Sequence, residues 1–77
     1  MNYLHQEILR ILKEHNATYS KPLSSFQLST QLNLNPAYIR FSIQDLLKEK
    51  KILVRRGKGG GYFLNNYSYM SKNAHES

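Results

Sequence analysis

Apolar residues recur along the first fifteen positions at the spacing of one helical face. Leu4, Ile8, Ile11 and Leu12 fall three and four residues apart with polar residues between them, which predicts an amphipathic helix over about Tyr3 to His15, closed by Asn16. ATYSKP then reads as a loop, in which the proline that follows pushes Lys21 toward an extended conformation. Ser24 and Gln27 stand in the register of a capping box, so a second helix is expected over Ser25 to Leu32, with Phe26, Leu28 and Leu32 as its apolar residues. Asn33, Leu34 and Asn35 form a tight connection, and Asn35-Pro36 supplies an N-cap and a first-turn proline for a third helix over about residues 36–50. At about 100° per residue, Ile39, Ile43, Leu46 and Leu47 share one sector of that helix, its core face. Ala37, Phe41, Gln44 and Lys48 lie opposite, with Tyr38 and Asp45 on one flank and Arg40 on the other. A phenylalanine in the middle of a polar face needs a reason, because burying it is worth about 1.5–3 kcal/mol.

The pattern then changes period. ILVRR and GYFL are short apolar runs on either side of Gly57 to Gly60, the signature of a β-hairpin in which Ile52 with Val54 and Tyr62 with Leu64 face inward. From Asn65 the sequence NNYSYMSKNAHES is polar and weakly patterned, and reads as a disordered tail over 66–77 in which Tyr67, Tyr69 and Met70 are the residues able to anchor a turn. One helix, a pair of helices joined by a three-residue turn, and a basic hairpin make an α+β winged helix-turn-helix over 1–65.

Composition narrows the function. A chain of 77 residues has room for one core, so any activity has to sit on its surface. The formal charge of +6 is large for such a chain and points to an acidic partner. Lys50, Lys51, Arg55, Arg56 and Lys58 concentrate positive charge without an intervening acid, although lysines after a helix also complement its C-terminal dipole. Cysteine is absent, which removes disulfides, thiol catalysis and cysteine-ligated clusters, and fits a reducing, cytoplasmic setting. No apolar run is long enough for a membrane helix, and the N-terminus lacks the pattern of a signal peptide. His5, His15 and His75 stand far apart and read as surface histidines, no serine lies in a nucleophile elbow, and GKGGG lacks the spacing of a phosphate loop. No enzyme, cofactor or metal site is therefore expected.

The blocks NPAYIRFSI and RGKGGGYFL, within a stretch from Leu23 to Leu64, resemble the DNA-binding half of the Rrf-type repressors, the family of IscR and NsrR. That resemblance implies that the proline-tyrosine helix enters the major groove and that the glycine-rich wing touches the flanking minor groove. It also implies a glycine between helix and wing, where this sequence has Lys50 and Lys51. The three cluster cysteines and the long C-terminal dimerisation helix of the family have no counterpart in these 77 residues, so its sensing function is not carried over.

On this reading Gln44 pairs with adenine, Phe41 meets thymine methyls, and Tyr38 and Arg40 hold phosphates or base edges. Arg55, Arg56 and Lys58 neutralise phosphates or enter a narrow minor groove, and the tip glycines permit close approach to the sugar-phosphate wall. Ser25, Asn35, Ala37, Lys48, Gly59 and Tyr62 complete the expected DNA-binding set. The expectation is a small transcriptional repressor, or an organiser of a replication origin, acting as a homodimer on duplex DNA. Two alternatives use the same residues: an accessory protein of replication or recombination that stacks single-stranded bases on the aromatics, and a protein-interaction adaptor with Phe41 and Tyr38 at its centre.

Overall fold

The computed structural model describes residues 3–65. Three helices precede a hairpin: α1 (Tyr3–Glu14), α2 (Ser25–Leu32), α3 (Pro36–Lys48), β1 (Ile52–Arg55) and β2 (Gly61–Leu64). The chain thus has the α+β winged-helix fold. The tail over 66–77 and its three expected anchors lie outside the described residues.

The starts of α2 and α3 are set by the side chains expected there. The Ser24 hydroxyl accepts the Gln27 amide N–H at 3.1 Å and the Gln27 carboxamide accepts the Ser24 N–H at 2.9 Å, a closed capping box. Asn35 Oδ1 accepts the Ala37 N–H at 2.8 Å, one residue past Pro36.

All three helices end in the same way. Asn16, Asn33 and Lys50 adopt left-handed backbone at φ of 51°, 54° and 58°. In each case the amide of that residue bonds three residues back, to Lys13, Thr30 and Leu47, and the next amide bonds five back, to Leu12, Ser29 and Leu46. This paired pattern is the Schellman motif, which satisfies the last carbonyls of a helix.

Ile8, Ile11 and Leu12 of α1, Ala17, Leu28 of α2, Ile39, Ile43 and Leu46 of α3, and Ile52 of β1 form one buried cluster. Leu4, Leu32 and Leu47 pack partly buried around it. Phe26 does not join it: 71% exposed, it lies on the outer face of α2, on the opposite side of the helix from buried Leu28. His5 departs in the other direction. It is buried at 6% on the core side of α1, with its Nε2 3.4 Å from Asp45 Oδ2 of α3.

In the antiparallel hairpin Ile52 faces Leu64, Leu53 faces Phe63, Val54 faces Tyr62 and Arg55 faces Gly61. The sheet gains one residue of a further strand, because Leu23 and Tyr62 exchange N–H to carbonyl bonds at 3.0 and 2.7 Å. Strand alternation left Phe63 facing outward, yet it too packs against the core, and the Tyr19 ring meets it edge-on at 5.9 Å. The loop between α1 and α2 therefore reaches the outer face of the hairpin at Phe63.

Candidate nucleic-acid interface

Helix α3 turns its apolar sector inward and leaves Ala37, Tyr38, Arg40, Phe41, Gln44 and Lys48 exposed. Phe41 is 77% and Tyr38 65% exposed. Ala37, Arg40, Phe41 and Gln44 line a shallow depression of about 300 Å³, in which the phenyl ring supplies apolar surface between a guanidinium and a carboxamide. Tyr38, Asn35 and Lys48 lie outside it, and the Asn35 side chain is already engaged as the helix cap. Asp45 on the flank of α3 is turned to buried His5, a contact that ties α1 to α3.

A second depression of about 300 Å³ joins the start of α2 to the wing, with Ser25 on one wall and Arg56, Gly57 and Tyr62 on the other. Ser25 and the wing, separate in the sequence, are thereby brought together.

At the tip, Gly57 and Gly59 take positive φ, and the Gly60 N–H closes a turn on the Gly57 carbonyl at 3.0 Å. The bare backbone has an internal reason. A Cβ on Gly60 would collide with the Arg55 carbonyl, and one on Gly61 would lie 2.5 Å from the Leu23 carbonyl oxygen, where the third strand crosses. Packing within the fold thus requires the glycines at 60 and 61, and left-handed backbone favours those at 57 and 59.

The wing's cations divide into two kinds. Arg56 and Lys58 are exposed and form no ion pair among the described residues. Arg55 is half-buried and bonded to its own chain. Its Nη1 donates to the Tyr19 carbonyl and its Nη2 to the Gly59 carbonyl, both at 2.8 Å, and its guanidinium carbon lies 5.4 Å from the centre of the Tyr19 ring. The expected phosphate ligand at 55 is thus committed to two carbonyls of its own chain. Tyr19 is the residue the sequence reading missed, and the only local signal was an aromatic in an otherwise polar loop.

The acidic residues among those described pair away from the wing. Arg10 bridges Glu7 at 2.7 Å and Glu14 at 2.9 Å on α1, and its hydrogen bonds hold the Glu7 carboxyl below the usual carboxylate range while raising its own pKa. Glu49 lies 3.9 Å from Lys51, and no acid occurs between Lys50 and Asn65. Among the described residues, positive charge on the wing is therefore unopposed by an acid. Among the described residues there is no group of three or more ligating side chains for a metal, and no helix long and apolar enough to cross a membrane.

No family model and no curated protein sequence matches the chain. Solved structures do. A protein from Lactobacillus plantarum described as a transcriptional regulator matches at 29% identity and a TM-score of 0.65, over 84% of this chain and 43% of its own. CymR (YrzC), the global cysteine regulator of B. subtilis, matches at 23% identity and a TM-score of 0.65, over 83% of this chain and 50% of its own. IscR of T. potens matches at 20% identity and a TM-score of 0.63, over 83% and 47%. The chain spans about half the length of these proteins or less. IscR belongs to the Rrf-type group that the two sequence blocks resemble, so backbone and sequence point to the same fold.

Proposed function

We propose that this chain is the DNA-binding unit of a transcriptional repressor, reading duplex DNA with α3 in the major groove and resting the wing on the backbone or minor groove. The observation that carries this reading is the division of labour on the surface. The helix after the tight turn exposes an aromatic ring between a guanidinium and a carboxamide, while among the described residues Arg56 and Lys58 on the wing have no acidic partner. Base edges are read by groups of the first kind and phosphates are held by groups of the second. The likeness to regulators supports the same assignment. Gln44 is the candidate for adenine, Phe41 for a thymine methyl, and Ser25 with Arg56 for a phosphate at the foot of the wing. One reading helix spans only a few base pairs, so selective action in a genome calls for two copies on a repeated or palindromic site.

Two substitutions separate the roles. Arg56→Ala weakens binding to all duplexes alike and lowers the slope of log K against log salt by about 0.9, the loss expected for one phosphate contact. Gln44→Ala leaves that slope in place and reduces discrimination between sites, by about 1–3 kcal/mol at the base it reads. Site preference unchanged in Gln44→Ala would remove the major-groove assignment. A salt slope unchanged in Arg56→Ala would remove the wing contact.

A further inference from the structure

Arg55 and Tyr19 are joined in a way that the charge pattern of the wing does not require. The guanidinium bonds one carbonyl of the α1–α2 loop and one carbonyl of the wing tip, each at 2.8 Å, and stands over the Tyr19 ring. The same ring packs edge-on against Phe63 of β2. One planar side chain therefore connects three parts: the loop at Tyr19, the root of the wing at residue 55, and its tip at Gly59. A two-stranded hairpin is at best marginally stable by itself, and this tip turns through two left-handed glycines that have little conformational preference of their own. A planar guanidinium is suited to hold such a tip, because its fork of donors fixes direction as well as distance.

We propose that Tyr19 and Arg55 form a clamp that sets the position of the wing, so that Arg56 and Lys58 reach the DNA backbone together. The proposal rests on the duplex-binding reading above and changes the part played by Arg55, from phosphate ligand to positioning residue. The clamp acts through neighbouring residues: Tyr19 contributes its carbonyl and ring without carrying charge, and Arg55 commits its guanidinium to two carbonyls of its own chain.

The test is the salt dependence of duplex binding, measured by fluorescence anisotropy on a fixed duplex for the wild-type chain and for Arg56→Ala/Lys58→Ala, Tyr19→Ala, Tyr19→Phe and Arg55→Lys, with thermal melting to confirm that each variant is folded. The double variant lowers the slope by about 1.8, at about 0.9 for each phosphate contact. Tyr19→Ala removes no charge and on this account still lowers the slope toward the double variant's value, while adding nothing in the Arg56→Ala/Lys58→Ala background. Tyr19→Phe keeps the ring and the carbonyl and retains the wild-type slope. Arg55→Lys keeps the charge but lacks the fork, and lowers the slope as Tyr19→Ala does, which makes it the independent variant should Tyr19→Ala fail to fold. A wild-type slope in Tyr19→Ala and Arg55→Lys, with the slope reduced in the double variant, overturns the clamp and leaves the duplex-binding reading intact. An unchanged slope in the double variant overturns the wing contact itself, and the clamp with it.

Discussion

Lys50 stands at the one left-handed helix end that is not asparagine. Non-glycine residues pay about 1–2 kcal/mol for that backbone, partly offset by the entropy that glycine loses on folding, about 0.5–1 kcal/mol. Lys50→Gly should therefore raise stability by about 0.5–1 kcal/mol, with the urea midpoint shifted upward at unchanged m-value. Asn16→Gly should gain less, since asparagine tolerates this region better. The glycine that the Rrf-type resemblance expected between helix and wing would serve the same backbone geometry. Phe41 supports a prediction of a chemical kind. Replacing thymine by deoxyuridine at the base it contacts should weaken binding by the wild-type chain and leave Phe41→Ala indifferent; equal sensitivity in both proteins would remove the methyl contact. Not every residue was read correctly from the sequence, and the reasons are geometric. His5 lies three residues before Ile8 and so shares its stripe, but its polarity assigned it to the surface. Phe26 is two positions from Leu28, about 200° around the helix, so its apolar character was no evidence that it faced inward. Arg55 could not be placed without knowing that Tyr19 comes to meet it.

The elements themselves were legible because their boundaries are decided locally. A capping box, an Asn-Pro cap and short polar connections each act within a few residues; α2 has the expected limits, and α1 and α3 end one and two residues short of theirs. Ser24→Ala removes the hydroxyl that accepts the Gln27 N–H, while the Ser24 backbone N–H keeps its bond to the Gln27 carboxamide, and should cost about 1 kcal/mol, read from chemical denaturation. The short strand at Leu23 was not legible, since a single bridged residue has no periodicity and its partner, Tyr62, lies beyond α2 and α3 in sequence. Gly61 is the residue that admits it. Gly61→Ala should force Leu23 away at a cost of about 1–3 kcal/mol, and speed hydrogen exchange at the Tyr62 amide, which donates to Leu23 at 2.7 Å. Slow exchange at that amide in the variant would show that the strand yields without separating. The expected interface was partly legible as well: the outward face of α3 follows from 3.6-residue periodicity, whereas the approach of Ser25 to the wing depends on the fold.

At the scale of the molecule, a small core holds three helices and a hairpin so that apolar packing is spent inside while charge is sorted outside. Acids pair on α1 and near the end of α3, and the wing is left positive. This sorting makes the main claim testable without interference from stability, since exposed positions away from caps usually alter it by no more than about 0.5 kcal/mol. The most direct measurement is fluorescence anisotropy of the purified chain against a randomised duplex pool and a matched single-stranded pool over a range of salt, with recovery and sequencing of the bound duplexes. The account predicts tighter binding to duplex, a steep salt dependence, and enrichment of one motif. Equal or tighter binding to single strands without enrichment, or no binding to either pool at low salt, would contradict it.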